Sequence, residues 1–211
     1  MEVTNMTEYE RMRCGLIYDC LDEELGKVQH DSHKLCEEYN RLGTDDDDKK
    51  QEILHKLFPE DNFGGYRVME SPIFIDNANE IKIGKNFYSN FDFSFIASGT
   101  VTIGDNVFIG PHCTLATGIH SLLAEERRIQ PDENGIIHDY EYGKDIKLGN
   151  DVWIASNVVI NGGVTIGDGS VIGSGSVVTK DIPAGVIAFG NPCRVQRKIT
   201  EADSMYLKAK R

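Results

Sequence analysis

This sequence predicts a mainly β fold: a parallel β-helix of hexapeptide repeats flanked by helical ends. Three observations carry the prediction. In IKLGNDVWIASNVVINGGVTIGDGSVIGSGSVVTKDIP, residues 146–183, an aliphatic residue returns at every sixth position: Leu148, Ile154, Ile160, Ile166, Ile172 and Val178. Two residues before each stands a second inward-type position: Ile146, Val152, Val158, Val164, Ser170 and Ser176. That is the two-residue alternation of a strand nested inside a period of six. Turn-competent or small residues follow: Gly149, Ala155, Asn161, Gly167, Gly173 and Thr179, suited to tight corners. A helix would repeat near about 3.6 residues. A short strand plus a corner repeats at six, as in parallel β-helices.

Taken in order, residues 7–41 read as helical. Thr7 with Glu10 resembles an N-terminal cap. Met12, Leu16, Tyr18 and Leu21 are loosely periodic, and a second segment, Asp31–Leu42, carries Leu35, Cys36, Tyr39 and Leu42. The run GTDDDDKK, residues 43–50, reads as a solvated helix start, because aspartate is favoured in a first turn. A third helix is expected over 49–57. The solenoid is expected from residue 72. One repeat block spans roughly 81–118, with Ile81/Ile83, Phe87/Ser89, Phe93/Phe95, Val101/Ile103, Val107/Ile109 and Cys113/Leu115 as inward pairs and one slip near Ser98–Gly99. The other spans roughly 146–183. Three hexapeptides make one triangular coil, so each block supplies about two coils. Residues 119–145 lack the period and must leave the prism as a loop; loops this long are usually functional. The tail ITEADSMYLKAKR is expected to form a short helix. The division is therefore 1–71, an N-terminal helical extension; 72–192, the β-helix with excursion 119–145; and 193–211, a C-terminal tail. Solenoid ends need capping, and the flat faces suit a closed cyclic oligomer.

The 211 residues carry a formal charge of −12, which argues against a nucleic-acid partner, since phosphates demand Lys and Arg. No apolar run reaches transmembrane length, and the N-terminus lacks the apolar core of a leader peptide. Cys14, Cys20, Cys36, Cys113 and Cys193 form an odd set without a CxxC pair. Reduced thiols and a cytoplasmic location are the expectation. No metal site is expected.

His120 lies where the period breaks. An imidazole titrates near neutrality and can take a proton from a hydroxyl. Thr179, Lys180, Arg194 and Arg197 place positive and hydroxyl groups at and beyond the last coil, where they could hold phosphates or simply form a solvated basic rim.

NFYSNFDFSFIASGTVTIGDNVFIGPHCTLATGIHSLLAEER and EYGKDIKLGNDVWIASNVVINGGVTIGDGSVIGSGSVVTKDIPAGVIAFGNPCRVQRKI resemble the maltose/galactoside O-acetyltransferase family of left-handed β-helix proteins. TEYERMRCGLIYDCLDEEL resembles that family's opening segment. The resemblance implies a homotrimer that moves an acetyl group from acetyl-CoA to a sugar hydroxyl, without a metal or membrane partner. It implies His120 as the catalytic base. Asp19, Asp76, Asn90 and Ser98 match acceptor-site positions. Trp153, Ser156, Ser174, Thr179, Lys180, Arg194 and Arg197 match positions lining the CoA groove; for Trp153, packing beside a loop is an equal reading. Family sites lie between adjacent subunits.

Two departures stand out. The family usually has an acidic residue where this chain has Ser98, so a hydrogen-bond acceptor for a sugar hydroxyl is missing there. The excursion is also longer, by roughly 129–139; these residues could overhang the acceptor, with His138 expected as a loop-surface residue. Other acceptors stay open, among them an antibiotic or other non-sugar hydroxyl. Two other classes are a three-histidine zinc hydratase, which the spacing of His112, His120 and His138 does not match, and a non-catalytic scaffold.

Overall fold

The computed structural model describes residues 5–59 and 66–208. Residues 1–4 and 60–65 of the expected extension and 209–211 of the expected tail lie outside the described residues.

The hexapeptide pairs build a three-faced parallel β-solenoid. Among the described residues its faces carry four, seven and five strands. The first face stacks Ile81–Ile83, Val101–Ile103, Ile146–Leu148 and Thr165–Ile166. The second stacks Arg67–Met69, Phe87–Ser89, Phe108–Ile109, Trp153–Ile154, Val171–Ile172 and Val186–Phe189 in parallel. The third stacks Ile73–Ile75, Phe93–Ile96, Thr114–Ala116, Val159–Asn161 and Val177–Val178. The solenoid thus begins at Arg67, ahead of the expected residue 72, and turns at both ends exceed the expected two coils per block. The first strand pairs Arg67 with Met69 inward rather than two aliphatic residues, which hid it from a reading by period.

The paired inward residues fill one continuous column. Leu148, Ile154, Ile160, Ile166, Ile172 and Val178 are buried, as are Ile146, Val152, Val158 and Val164. Each such side chain contributes about 1.5–3 kcal/mol. Ser170 and Ser176 are buried too, and each donates its hydroxyl to a backbone carbonyl, of Pro183 and of Gly173. A buried polar group costs little when it is bonded. The edge after the first face is stitched by side chains. Asn86 Nδ2 donates to Asn106 Oδ1 at 2.8 Å, and Asn106 Nδ2 to Asp151 Oδ1 at 3.0 Å.

The N-terminal segment is not one helical run. Helix α1 is Glu8–Arg13, opened by a capping box between Thr7 and Glu10. Gly15, at φ +67°, then turns the chain. Tyr18–Asp19 is a short strand, and α2, Glu23–Asn40, starts where Asp22 accepts from Glu24 and Leu25 N–H. Helix α3 is Asp47–Leu57, two residues ahead of expectation, with the aspartate run at its solvated start. Of the buried positions of α2, Ser32, Cys36 and Tyr39 cover the first coil, whereas Leu25 packs with Met12 and Tyr18. Asn40 exchanges two hydrogen bonds of 2.8 Å with the Ile73 backbone, standing in for a strand at the exposed edge. Glu80, buried, anchors α1 by accepting from Tyr9 O–H at 2.8 Å, with Arg13 at 3.4 Å.

The far end carries the expected short helix and adds a strand before it. Arg194–Lys198 is a strand antiparallel to Val186–Phe189, followed by a 3₁₀ turn, Glu201–Asp203, and only then a short helix, α4, Met205–Lys208.

Candidate active site

The excursion is ordered rather than a bare loop. It leaves through Gly118–His120 and returns through Tyr140–Gly143, paired antiparallel. Tyr18–Asp19 pairs with the other edge of Tyr140–Gly143. The register sets Glu141 opposite both Tyr18 and His120, and directly opposed residues project to the same side of a sheet. Tyr18, Glu141 and His120 therefore form a row. Gly143 closes the excursion where a Cβ would meet the Ser98 carbonyl oxygen at 1.7 Å.

His120 is half exposed, with Glu141 Oε2 3.6 Å from Nε2 and Asp139 Oδ1 3.9 Å from Nδ1. It stands between two cavities. One, of ≈ 350 Å³, is lined by Tyr18, Cys20, Asp76, Ser98, Asp139 and Glu141 among others. The second, of ≈ 670 Å³, is bordered by Ile17, Leu122, Arg128, His138, Tyr140 and Tyr142 among others. The smaller one is acidic, which suits neutral hydroxyl compounds better than anions.

Glu141 Oε1 accepts from Ser98 Oγ at 2.8 Å and from Tyr18 O–H. Burial, and then the bond to Glu141, push the Tyr18 phenol well above its ordinary value, so it remains a donor. Cys20 also faces the smaller cavity, donating Sγ–H to the Asp139 carbonyl at 3.1 Å. Burial, with Asp139 nearby, pushes its thiol up to about 12. It therefore stays protonated and is a poor nucleophile.

Of the expected acceptor residues, Asp76 and Ser98 reach this cavity. Asp76 is paired with His33 of α2. Asp19 turns instead toward the excursion. Its Oδ2 lies 2.7 Å from His138 Nδ1, and Oδ1 accepts from Asp139 N–H at 3.0 Å and Leu21 N–H at 3.1 Å. His138 is thus more than a loop-surface residue: it sits between Asp19 and Asp132, whose Oδ2 is 3.7 Å from Nε2, and stacks on Tyr140 at 5.4 Å. Burial opposes ionisation of Asp19, but the bonds from His138 and the Asp139 backbone outweigh it and lower its pKa. The bond to Asp19 raises that of His138.

The remaining residues lie elsewhere. Thr179 and Lys180 share the prism edge of Ser98 and His120, the edge after the third face. They lie three rungs beyond Ser98 and two beyond His120, the latter about 10 Å at about 4.8 Å per rung. Asn90, Ser156 and Ser174 occupy the edge after the second face. There the corners stack through His112 N–H to Phe91 O at 3.0 Å, Asn157 N–H to Pro111 O at 2.9 Å and Gly175 N–H to Ser156 O at 2.9 Å. Trp153 is exposed between Phe108 and Val171 on the second face. Arg194 and Arg197 are exposed on the final strand, and Arg197 is held by Asp203 through two bonds of 2.7 Å. Within one chain, the width of the third face separates the two sets. Sequence reasoning missed Glu141, Tyr18 and Asp139. Glu141 was visible only as part of EYGK.

A three-faced hexapeptide solenoid with a histidine at the root of an excursion loop is the architecture of a hexapeptide-repeat acyltransferase. Family models match as a maltose acetyltransferase hexapeptide capping motif over residues 11–61, a hexapeptide repeat of succinyl-transferase over 100–120 and a bacterial transferase hexapeptide over 145–180. The chain is 40% identical over 202 residues to galactoside O-acetyltransferase of Escherichia coli (strain K12), covering 96% of this chain and 94% of that protein. The crystal structure of a maltose O-acetyltransferase from Clostridium difficile 630 superposes with a TM-score of 0.83 at 40% identity, covering 93% of this chain and 99% of that one. That of galactoside acetyltransferase in complex with coenzyme A also gives 0.83 at 40%, covering 94% of each. The chain belongs to the maltose/galactoside O-acetyltransferase family, and its solenoid is the left-handed parallel β-helix of that fold.

Proposed function

We propose that this protein transfers the acetyl group of acetyl-CoA to a hydroxyl of a neutral sugar or sugar-like acceptor, with His120 as general base. The observation that carries this reading is the position of His120: half exposed between two cavities and flanked by Asp139 and Glu141. With Nδ1–H turned toward Asp139, Nε2 is left to accept. It takes the acceptor's O–H proton as that oxygen bonds to the thioester carbonyl carbon. The C–S bond then breaks, and the proton passes from Nε2 to the CoA sulfur. No acyl-enzyme is needed, in keeping with the protonated Cys20.

The CoA-side residues Ser156, Ser174 and Trp153 stand a face away from His120, so one chain does not gather a whole site. Outward residues favour the second face over the first for contact with other copies. The first face shows Lys82, Thr102, Lys147 and Thr165, whereas the second shows Phe108 and Trp153, both exposed. A homotrimer would bring the His120 edge of one protomer to the Ser156–Ser174 edge of the next. Light scattering should therefore give three times the chain mass.

The test is CoA release from acetyl-CoA with a panel of sugars, glycosides and non-sugar alcohols. His120→Ala should lower kcat by about 10²–10⁴-fold with an unchanged circular dichroism spectrum. Full turnover by that variant would overturn the assignment.

A further inference from the structure

A basic concavity lies outside both cavities at His120. It encloses ≈ 410 Å³ and is lined by Arg13, Lys144, Asp145, Lys147 and Thr165 among others. None of its lining residues borders the other two. Three parts of the chain bring its cations together. Arg13 ends α1, Lys144 follows the returning strand of the excursion, and Lys147 stands on the first face beside its parallel partner Thr165. Lys147 and Thr165 are both exposed. The turn at Gly15 packs against the same strand: a methyl there would lie 3.5 Å from the Gly143 carbonyl oxygen.

The cations are held in place but not neutralised. Arg13 Nε faces Glu80 at 3.4 Å, which anchors the guanidinium and leaves its Nη groups to donate elsewhere. The Lys144 stem crosses the corner at Gly163, where a methyl would meet Cδ at 3.2 Å, and its Nζ lies 6.0 Å from the centre of the Tyr142 ring. Among the described residues neither Lys144 nor Lys147 has a carboxylate partner. Asp145 is already engaged, its Oδ1 accepting from Thr100 N–H at 3.0 Å. Three cations against one carboxylate reverse the sign of a chain whose formal charge is −12. Like charges around one concavity focus a field that an anion relieves. Lysine meets phosphate as a point charge and arginine through paired N–H groups. The volume falls within the about 300–1,000 Å³ of small-molecule sites.

We propose that this concavity binds a phosphoryl dianion, either free or as the monoester of a small metabolite. It stands apart from the residues expected to hold CoA and does not depend on the acetyl-transfer reading. Arg13 and Lys144 donate from the N-terminal segment and the root of the excursion, Lys147 and Thr165 from the prism. An occupant therefore ties the excursion to the solenoid.

The test follows inorganic phosphate and methyl phosphate binding to the full chain by calorimetry, with ionic strength held constant by sodium chloride. Binding should persist in that chloride, and hydrogen exchange should slow in residues 13–16 and 142–147. Lys144→Gln and Lys147→Gln should each weaken phosphate about tenfold, the scale of one hydrogen bond to a charged group. Lys180→Gln should leave this binding unchanged. Tighter binding of the methyl ester marks a monoester as the occupant and tighter binding of the free ion marks inorganic phosphate; either supports the site. Protection confined to residues 179–197 of the wild type would overturn the proposal, a result that needs no variant to fold. So would competition by chloride at matched ionic strength, which marks a diffuse field only, or full displacement of the phosphate by CoA, which would make the concavity part of the cofactor's own groove.

Discussion

A methyl group at Gly143 would lie 1.7 Å from the Ser98 carbonyl oxygen. Gly143→Ala must therefore push the returning strand off the solenoid. The expected cost is at least the about 1–3 kcal/mol of overpacking, read as a lowered Tm, and activity should fall as Glu141 moves with that strand. Ile160 is fully buried in the column; Ile160→Ala should cost about 2–5 kcal/mol in denaturant unfolding and leave KM values unchanged. Inward residues such as Ile160 were legible because a strict spacing of six repeats the same environment turn after turn. Glu141 was not. Its place opposite His120 depends on antiparallel register across an excursion of 20-odd residues, and no local period encodes that. Ser170 and Ser176 lie between: their slots were legible, but their bonds were not, since the one to Pro183 depends on a later corner and the one to Gly173 on how the preceding corner folds.

The excursion is held as an element by His138. Its raised pKa means that its contribution is fully present below the ordinary imidazole value and is lost as pH rises through the raised one. Asp19, with a lowered pKa, contributes above the ordinary carboxylate value and loses that contribution as pH falls through the lowered one. The groups facing the imidazole are Asp19, Asp132 and the Tyr140 ring. Hydrogen exchange in residues 121–139 should thus stay slow from below the usual carboxylate range to above the usual imidazole range and quicken on either side. His138→Ala should show fast exchange throughout. The helices teach a related lesson. Thr7 and Glu10 announced the start of α1, but the break at Gly15 and the strand at Tyr18–Asp19 hid in a pattern that looks loosely helical. Tyr18 becomes strand because Tyr140–Gly143 is there to pair with it, which is a tertiary fact.

For the molecule as a whole, the His120 edge and the Ser156–Ser174 edge lie on opposite sides of the third face. In the proposed homotrimer, chains crippled at different edges should therefore complement one another. Protein bearing His120→Ala and protein bearing a bulky replacement at Ser174, each inactive as a pure population, should recover activity when unfolded together and reassembled. Some junctions in such hybrids would join an intact imidazole from one copy to an intact corner from its neighbour. Separate refolding followed by simple mixing should yield much less if members of the proposed homotrimer exchange slowly.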